Sequence, residues 1–103
     1  MNVSDLTPNQ LPYALAQAMK VKSTPVIDWE LCGKLIEKEK ISLVRSYSRW
    51  TAFYVGPRAD SWEAEQVGDT AIEAVVKCYI EKKLGADFNW HFDHLKKPLR
   101  SNG

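Results

Sequence analysis

Between Thr70 and Gly85 the chain carries a complete helix signal, and a helix of that kind has to be buried against something. Thr70 with Glu73 three residues later matches a capping box, and Gly85 after Leu84 is a natural stop. Ile72, Val75, Val76, Tyr79 and Ile80 recur at helical spacing and form a broad apolar face. Glu73, Lys77 and Glu81, each four residues apart, are expected to line the outer side. The rest of the 103-residue chain must supply the surface that this face packs on.

That surface reads as a small antiparallel sheet. Ile41-Ser42-Leu43-Val44-Arg45 alternates, with Ile41 and Leu43 on one face, and Trp50 to Val55 is rich in aromatic and β-branched residues. A hairpin over 41–46 and 50–55, turning through Tyr47-Ser48-Arg49, is the economical arrangement. Residues 56–69 are polar, from Gly56-Pro57 to Gly68-Asp69, and would make a long loop for a compact domain; a third strand near 62–66 shortens it.

Two more helices precede the sheet. Asp28 caps a helix over 28–38, with Leu31, Cys32, Leu35 and Ile36 as its apolar stripe and Glu30 and Lys34 paired outside. Gly33 lies mid-helix, where glycine is costly, and marks an expected close crossing with another backbone. Leu11, Ala14, Leu15, Ala18 and Met19 define a helix over 8–20. Its start is open between Thr7, a capping box with Pro8 and Gln10, and Asn9, which leaves Pro12 in the first turn where its missing donor costs little. The sum is an α+β domain over 1–103, with residues 1–6 and a tail of about 93–103 expected to fray and Phe88 and Trp90 expected to dock.

Composition narrows the function classes. Apolar residues are 45% and charged residues 26%, ordinary for a globular chain, and fourteen basic against thirteen acidic residues leave a net charge of +1. Neither the basic excess of a charge-held nucleic-acid binder nor the acidic excess of a DNA mimic is present. Asp5, Asn9 and Gln10 interrupt the first twenty residues, so no secretion segment is read there, and no run approaches the length of a membrane span. Cys32 and Cys78 lie among apolar neighbours and read as buried thiols in a reduced, cytoplasmic protein.

Several short runs together resemble the phage ABA-sandwich domain family. Ser23-Thr24-Pro25, Asp28-Trp29, Gly33, Ile36-Glu37 and Ile41-Ser42 are similar to its opening, and Trp50-Thr51-Ala52-Phe53 to its aromatic strand. Gly68-Asp69-Thr70-Ala71-Ile72-Glu73-Ala74, Cys78-Tyr79 and Leu84-Gly85 are similar to its closing helix. The resemblance covers roughly residues 6–87. It departs at Ala64-Glu65-Gln66-Val67-Gly68, where the family carries a tyrosine or histidine followed by Ala-Glu-Gly, and at Ala71, where the family has proline. The resemblance implies a small phage or prophage protein with helices on both sides of a sheet, an alpha-beta-alpha sandwich. It carries over no catalytic or binding residue.

The residues themselves nominate few sites. His91 and His94 flank Asp93, a metal-like spacing that lacks a third and fourth donor, so no metal site is assigned. No Gly-rich phosphate loop, nucleophile elbow or His-Glu-x-x-His run occurs, so no catalytic residue and no cofactor is assigned. Trp29 and Trp50 are expected in the core. Trp62, in a polar segment, and Trp90, beyond the last helix, are candidate anchors for a partner, because exposed tryptophan dominates interface energetics. Arg45 and Arg49, beside Tyr47, Trp50 and Tyr54, form a candidate nucleic-acid rim. Lys96, Lys97 and Arg100 make a short basic tail. The expected role is non-enzymatic binding of a protein, either a host or defence component or a second copy, with nucleic-acid binding as the alternative.

Overall fold

A computed structural model describes residues 1–58 and 61–91. The elements in order are a 3-10 turn (Val3–Asp5), α1 (Leu11–Met19), α2 (Trp29–Glu39), β1 (Ile41–Ser46), β2 (Arg49–Val55), β3 (Trp62–Gly68) and α3 (Ala71–Leu84). The expected α+β class, three helices and antiparallel hairpin are all present. The third strand is present too, and it runs on to Gly68.

The sheet has the order β1-β2-β3, antiparallel throughout. Tyr47 and Ser48 alone link β1 to β2, with Tyr47 in the left-handed region at φ 54°. The pairs Ile41↔Tyr54, Leu43↔Ala52 and Arg45↔Trp50 share one face, and Ala52↔Gln66 and Trp50↔Gly68 continue it onto β3. Val44↔Thr51, Thr51↔Val67 and Val55↔Trp62 lie on the other. A bulge between Ala52 and Tyr54 shifts the register, at Ala64 with φ 55°.

α3 is the hub. Thr70 Oγ1 accepts from the Glu73 amide at 3.1 Å, so the cap forms, and the Glu73 carboxylate reaches back past Thr70 to accept from the Asp69 amide at 3.1 Å. From Ala74 to Ile80 every residue is buried, because the sheet, α1, α2 and the amino-terminal turn all pack around the helix. The core cluster joins Leu15, Cys32, Leu35, Ile41, Ala52, Tyr54, Val75, Val76 and Ile80 into one body.

Five expectations need correction. Residues 1–6 do not fray: Val3 and Leu6 are buried, and a bridge pairs Asn2 with Asp87 through Val3 N to Ala86 O and Phe88 N to Met1 O. Lys77 is consequently not outside but 5% exposed, since this segment covers it. α1 begins at Leu11 rather than at residue 8, because Thr7 to Gln10 closes a separate turn and the Gln10 side chain accepts from the Thr7 amide. Pro12 then falls in the first turn. Gly33 meets no other backbone; a Cβ there would find nothing within 4 Å. The helices implied on both sides of the sheet also differ from what is seen. All three described helices share the face of Ile41, Ala52 and Tyr54, because α1 packs on α3 instead of crossing to the far side of the sheet.

After α3 the chain returns along α1. Phe88 is buried as expected, and Gln17 holds this segment, donating to Asn89 O at 2.8 Å and accepting from His91 N at 2.9 Å. The tail of about 93–103, with His94, Lys96, Lys97 and Arg100, lies outside the described residues.

Candidate functional site

The sheet face turned away from the helices is an apolar surface that no described element covers. Alternation along β2 sends Trp50, Ala52 and Tyr54 inward and Thr51, Phe53 and Val55 outward. On that outer side Val44, Val55, Trp62 and Val67 are 41%, 52%, 50% and 37% exposed. Phe53 is the exception: Trp62 lies flat on it, with ring centroids 3.8 Å apart and planes 11° from parallel. Phe53 is thus buried by a neighbour on its own face and stands outside the main core cluster.

The stack has a local cause. Val55 pairs with Trp62, which places the indole diagonally beside Phe53, within reach of a long aromatic side chain. The short 56–61 connection fixes the pairing: Gly56 N donates to Ser61 O and Ser61 N to Arg58 O at 2.9 Å. Gly56 permits it, since a Cβ there would come 2.6 Å from the Ser61 hydroxyl.

Charge on this face is sparse: one ion pair at its edge, and Glu65 between Trp62 and Val67 on β3. Arg49 Nε lies 3.3 Å from Asp69 Oδ1, both well exposed, and Glu65 follows the same parity on β3. Ser42, Val44, Thr51, Phe53, Val55, Trp62 and Val67 make up most of the rest of it. Across the tip of the hairpin Tyr47 is fully exposed.

The four nominated residues therefore part company. Trp62 is on the open face. Trp90 packs edge-on against Phe88, centroids 5.0 Å apart, and rests on the core, so it is no protruding anchor. Arg45 lies over the Trp50 ring at 5.8 Å on the helix side, while Arg49 points to the opposite side and pairs with Asp69. The two arginines do not converge on one rim. Of the tryptophans expected inside, Trp50 packs partly against the core, but Trp29 is 60% exposed, because it opens α2 on the turn facing water. Val44, Phe53, Val55 and Val67 were not nominated from sequence. The strand alternation separates them from Ala52 and Tyr54, but both sides of β2 are apolar and the pattern does not say which is covered.

Other features offer less. An apolar groove of about 710 Å³ runs between α1, residues 24–27 and the start of α3, lined by Pro12, Pro25, Ile27 and Ile72. Its two carboxylates, Asp69 and Glu73, are engaged by Arg49 and Lys77. Cys32 and Cys78 are free and buried; burial foremost, then the nearby Asp28 carboxylate, pushes Cys32 up to about 11. Burial likewise lifts Cys78 to about 12, with Glu81 adding to it and Lys82 opposing. Neither thiol is a nucleophile near neutral pH. Burial and the Glu39 carboxylate, which accepts the Tyr54 hydroxyl at 3.1 Å, hold that phenol protonated far above its usual range. Among the described residues no group of three or more His, Cys, Asp or Glu is placed to hold a metal ion. No described helix is long and apolar enough to cross a membrane.

The family model described as Bacteriophage P22, NinX matches residues 9–83, most of the chain and every described strand and α-helix but the last residue of α3. No curated protein matches the chain.

Proposed function

The chain belongs to the bacteriophage P22 NinX family, and from that premise we propose that this small phage accessory protein works without catalysis, by holding a protein partner against its open sheet face. The observation that carries this reading is the apolar surface of Val44, Val55, Trp62 and Val67 around Phe53, on which Glu65 is the charge beside the aromatic stack. A contiguous apolar surface on a small protein is costly to leave in water and marks interaction sites. Trp62 at its centre supplies the large, rigid side chain that anchors interfaces. The two buried thiols, held protonated near neutral pH, support a role in binding over cysteine chemistry. The cytoplasm of the infected cell is the compartment that suits two free cysteines.

Nucleic-acid binding has less behind it. The open face carries Arg49 against Asp69 and Glu65, so it has no cationic row to track phosphates, and Arg45 is on the other side of the sheet.

Site-specific photocrosslinking in phage-infected cells tests the reading. A crosslinker replacing Val55 or Val67 should give discrete protein adducts, whereas one replacing Lys34 on the outer side of α2 should not. Adducts that are absent, or equal from all three positions, overturn it.

A further inference from the structure

We infer that the free edge of β1 binds an extended segment of a partner protein, with a β-branched middle and a carboxylate towards each end, which joins the sheet as a fourth strand. The inference goes beyond the reading of the open face and stands apart from it. Edge and face are different surfaces of the sheet, and either can hold a partner without the other.

The first observation is the edge itself. β1 pairs with β2 through six consecutive partners, from Ile41↔Tyr54 to Ser46↔Arg49, without a shift of register. It ends the order β1-β2-β3, so no strand lies on its other side. In such a ladder every second residue turns its N–H and C=O outward. Among the described residues no hydrogen bond from another element reaches these groups. A row of unpaired main-chain groups on an extended strand is a template for one more strand, so the ligand it recognises is peptide main chain.

The second is the contrast between the two edges. β3, on the other side, carries the bulge with Ala64 at φ 55°, and its Glu63 is tied to Lys82 at 3.0 Å. Bulges and charges are the devices that close a sheet edge to further pairing. β1 has no bulge, proline or glycine, and Arg45 is its one charged residue. Its second half, from Val44 to Ser46, is exposed.

The third is charge, and it selects the occupant. Lys40, in the left-handed turn before the strand, and Arg45, near the strand's end, are both exposed. The Arg45 guanidinium lies over the Trp50 ring, and among the described residues neither cation has a carboxylate within ion-pair distance. The two stand about 17 Å apart along the extended chain. Opposite charges across a strand pair favour pairing and like charges oppose it, so a strand acidic towards both ends fits this edge. A second copy does not. Two copies of β1 laid antiparallel bring Arg45 of each to the Lys40 end of the other, and laid parallel they set each cation against its own copy.

NMR titration of the isotope-labelled full chain with capped hexapeptides to about 5 mM tests it, a range that reaches millimolar dissociation constants. The probe is acetyl-Glu-Thr-Val-Thr-Val-Glu-amide. It should shift the amides of Ser42 to Arg45 saturably, with a dissociation constant below about 1 mM, and the same peptide with lysine at both ends should bind at least about tenfold more weakly. N-methyl groups on alternate residues leave the peptide one edge that can pair, and it should still bind; with every middle amide methylated it should not. Arg45→Glu, on an exposed side chain, should weaken the Glu-ended peptide at least about fivefold, with circular dichroism unchanged. The proposal is overturned if no peptide gives a saturable shift across that range. It is overturned equally by binding that ignores the end charges, survives full methylation, or shifts Trp62 and Val67 in place of β1. Shifts in β1 that follow protein concentration with no peptide present would put a second copy at the edge instead. Crosslinking from Val55 and Val67 reads the open face alone, so each reading can fail while the other stands.

Discussion

Lys77 of α3 donates to the main-chain carbonyl of Ser4 at 3.2 Å while its ammonium also lies 3.1 Å from the Glu73 carboxylate. One buried cation thus joins the hub helix to the amino-terminal turn. Lys77→Ala removes both contacts at once, leaving a part-buried carbonyl without this donor and the Glu73 carboxylate with the Asp69 amide alone. A loss of about 2–3 kcal/mol is expected in urea unfolding. The exposed pair Lys34–Glu30, 3.2 Å apart, is the contrast: Lys34→Ala should change stability by less than about 0.5 kcal/mol.

Two glycines should respond with opposite sign to the same substitution. A Cβ on Gly68 would lie 2.7 Å from the Ala74 amide nitrogen and 3.0 Å from Thr70 O, both backbone atoms. Gly68→Ala must push β3 away from the start of α3 and should cost roughly 1–3 kcal/mol. Gly33→Ala fills open space within α2 and should add about 0.5–1 kcal/mol, read as a higher melting temperature.

The hairpin tip stores strain. Tyr47 is held at φ 54° with its side chain wholly in water, where it gains no packing in return. Tyr47→Gly should stabilise the fold by about 0.5–1 kcal/mol in denaturant unfolding, since glycine adopts that backbone without a clash.

Alkaline pH should weaken the fold through the two thiols. Their ordinary value is 9.0, and burial raises them to about 11 at Cys32 and about 12 at Cys78. In the unfolded chain they ionise first, so above pH 9 the unfolded state holds fewer protons than the folded one and stability falls as pH rises. The contribution is complete below pH 9 and is lost progressively towards 11 to 12. Urea midpoints at pH 8 and pH 10.5 measure the drop, and the double variant Cys32→Val/Cys78→Val should lessen it. The same burial predicts slow alkylation of both thiols in native protein and fast alkylation in urea.

What could be read from the residues was what local chemistry decides. Asp28, whose carboxylate accepts from the Leu31 amide at 2.9 Å, and Thr70 announce their helices because a cap acts within four residues. The hairpin followed from alternation, which is equally local. Lys77 was misplaced because its cover comes from Val3 to Leu6, two apolar residues with no periodicity and more than seventy positions away. Thr7 to Gln10 made a turn of its own from the residues that would have capped α1. Gly33 was given a packing reason that its surroundings do not supply. For the candidate site, Trp62 stood out as a tryptophan in a polar stretch. Its companions did not, because β2 is apolar on both sides and only the position of the helices decides which side is left bare. Trp90 had the same signal as Trp62 but is taken up by Phe88.

Placing the hub helix last in the order of elements has a consequence for synthesis. Every other described helix and strand, from the amino-terminal turn through both earlier helices to the three strands, is translated before Ala71 to Leu84 exist, and only the short segment carrying Phe88 follows. Until then Leu15, Leu35, Ile41 and Ala52 have no common centre to close on. A nascent chain stalled before Thr70 should therefore remain open to proteases and chaperones, with native structure arriving in a single late step when the ribosome delivers the helix.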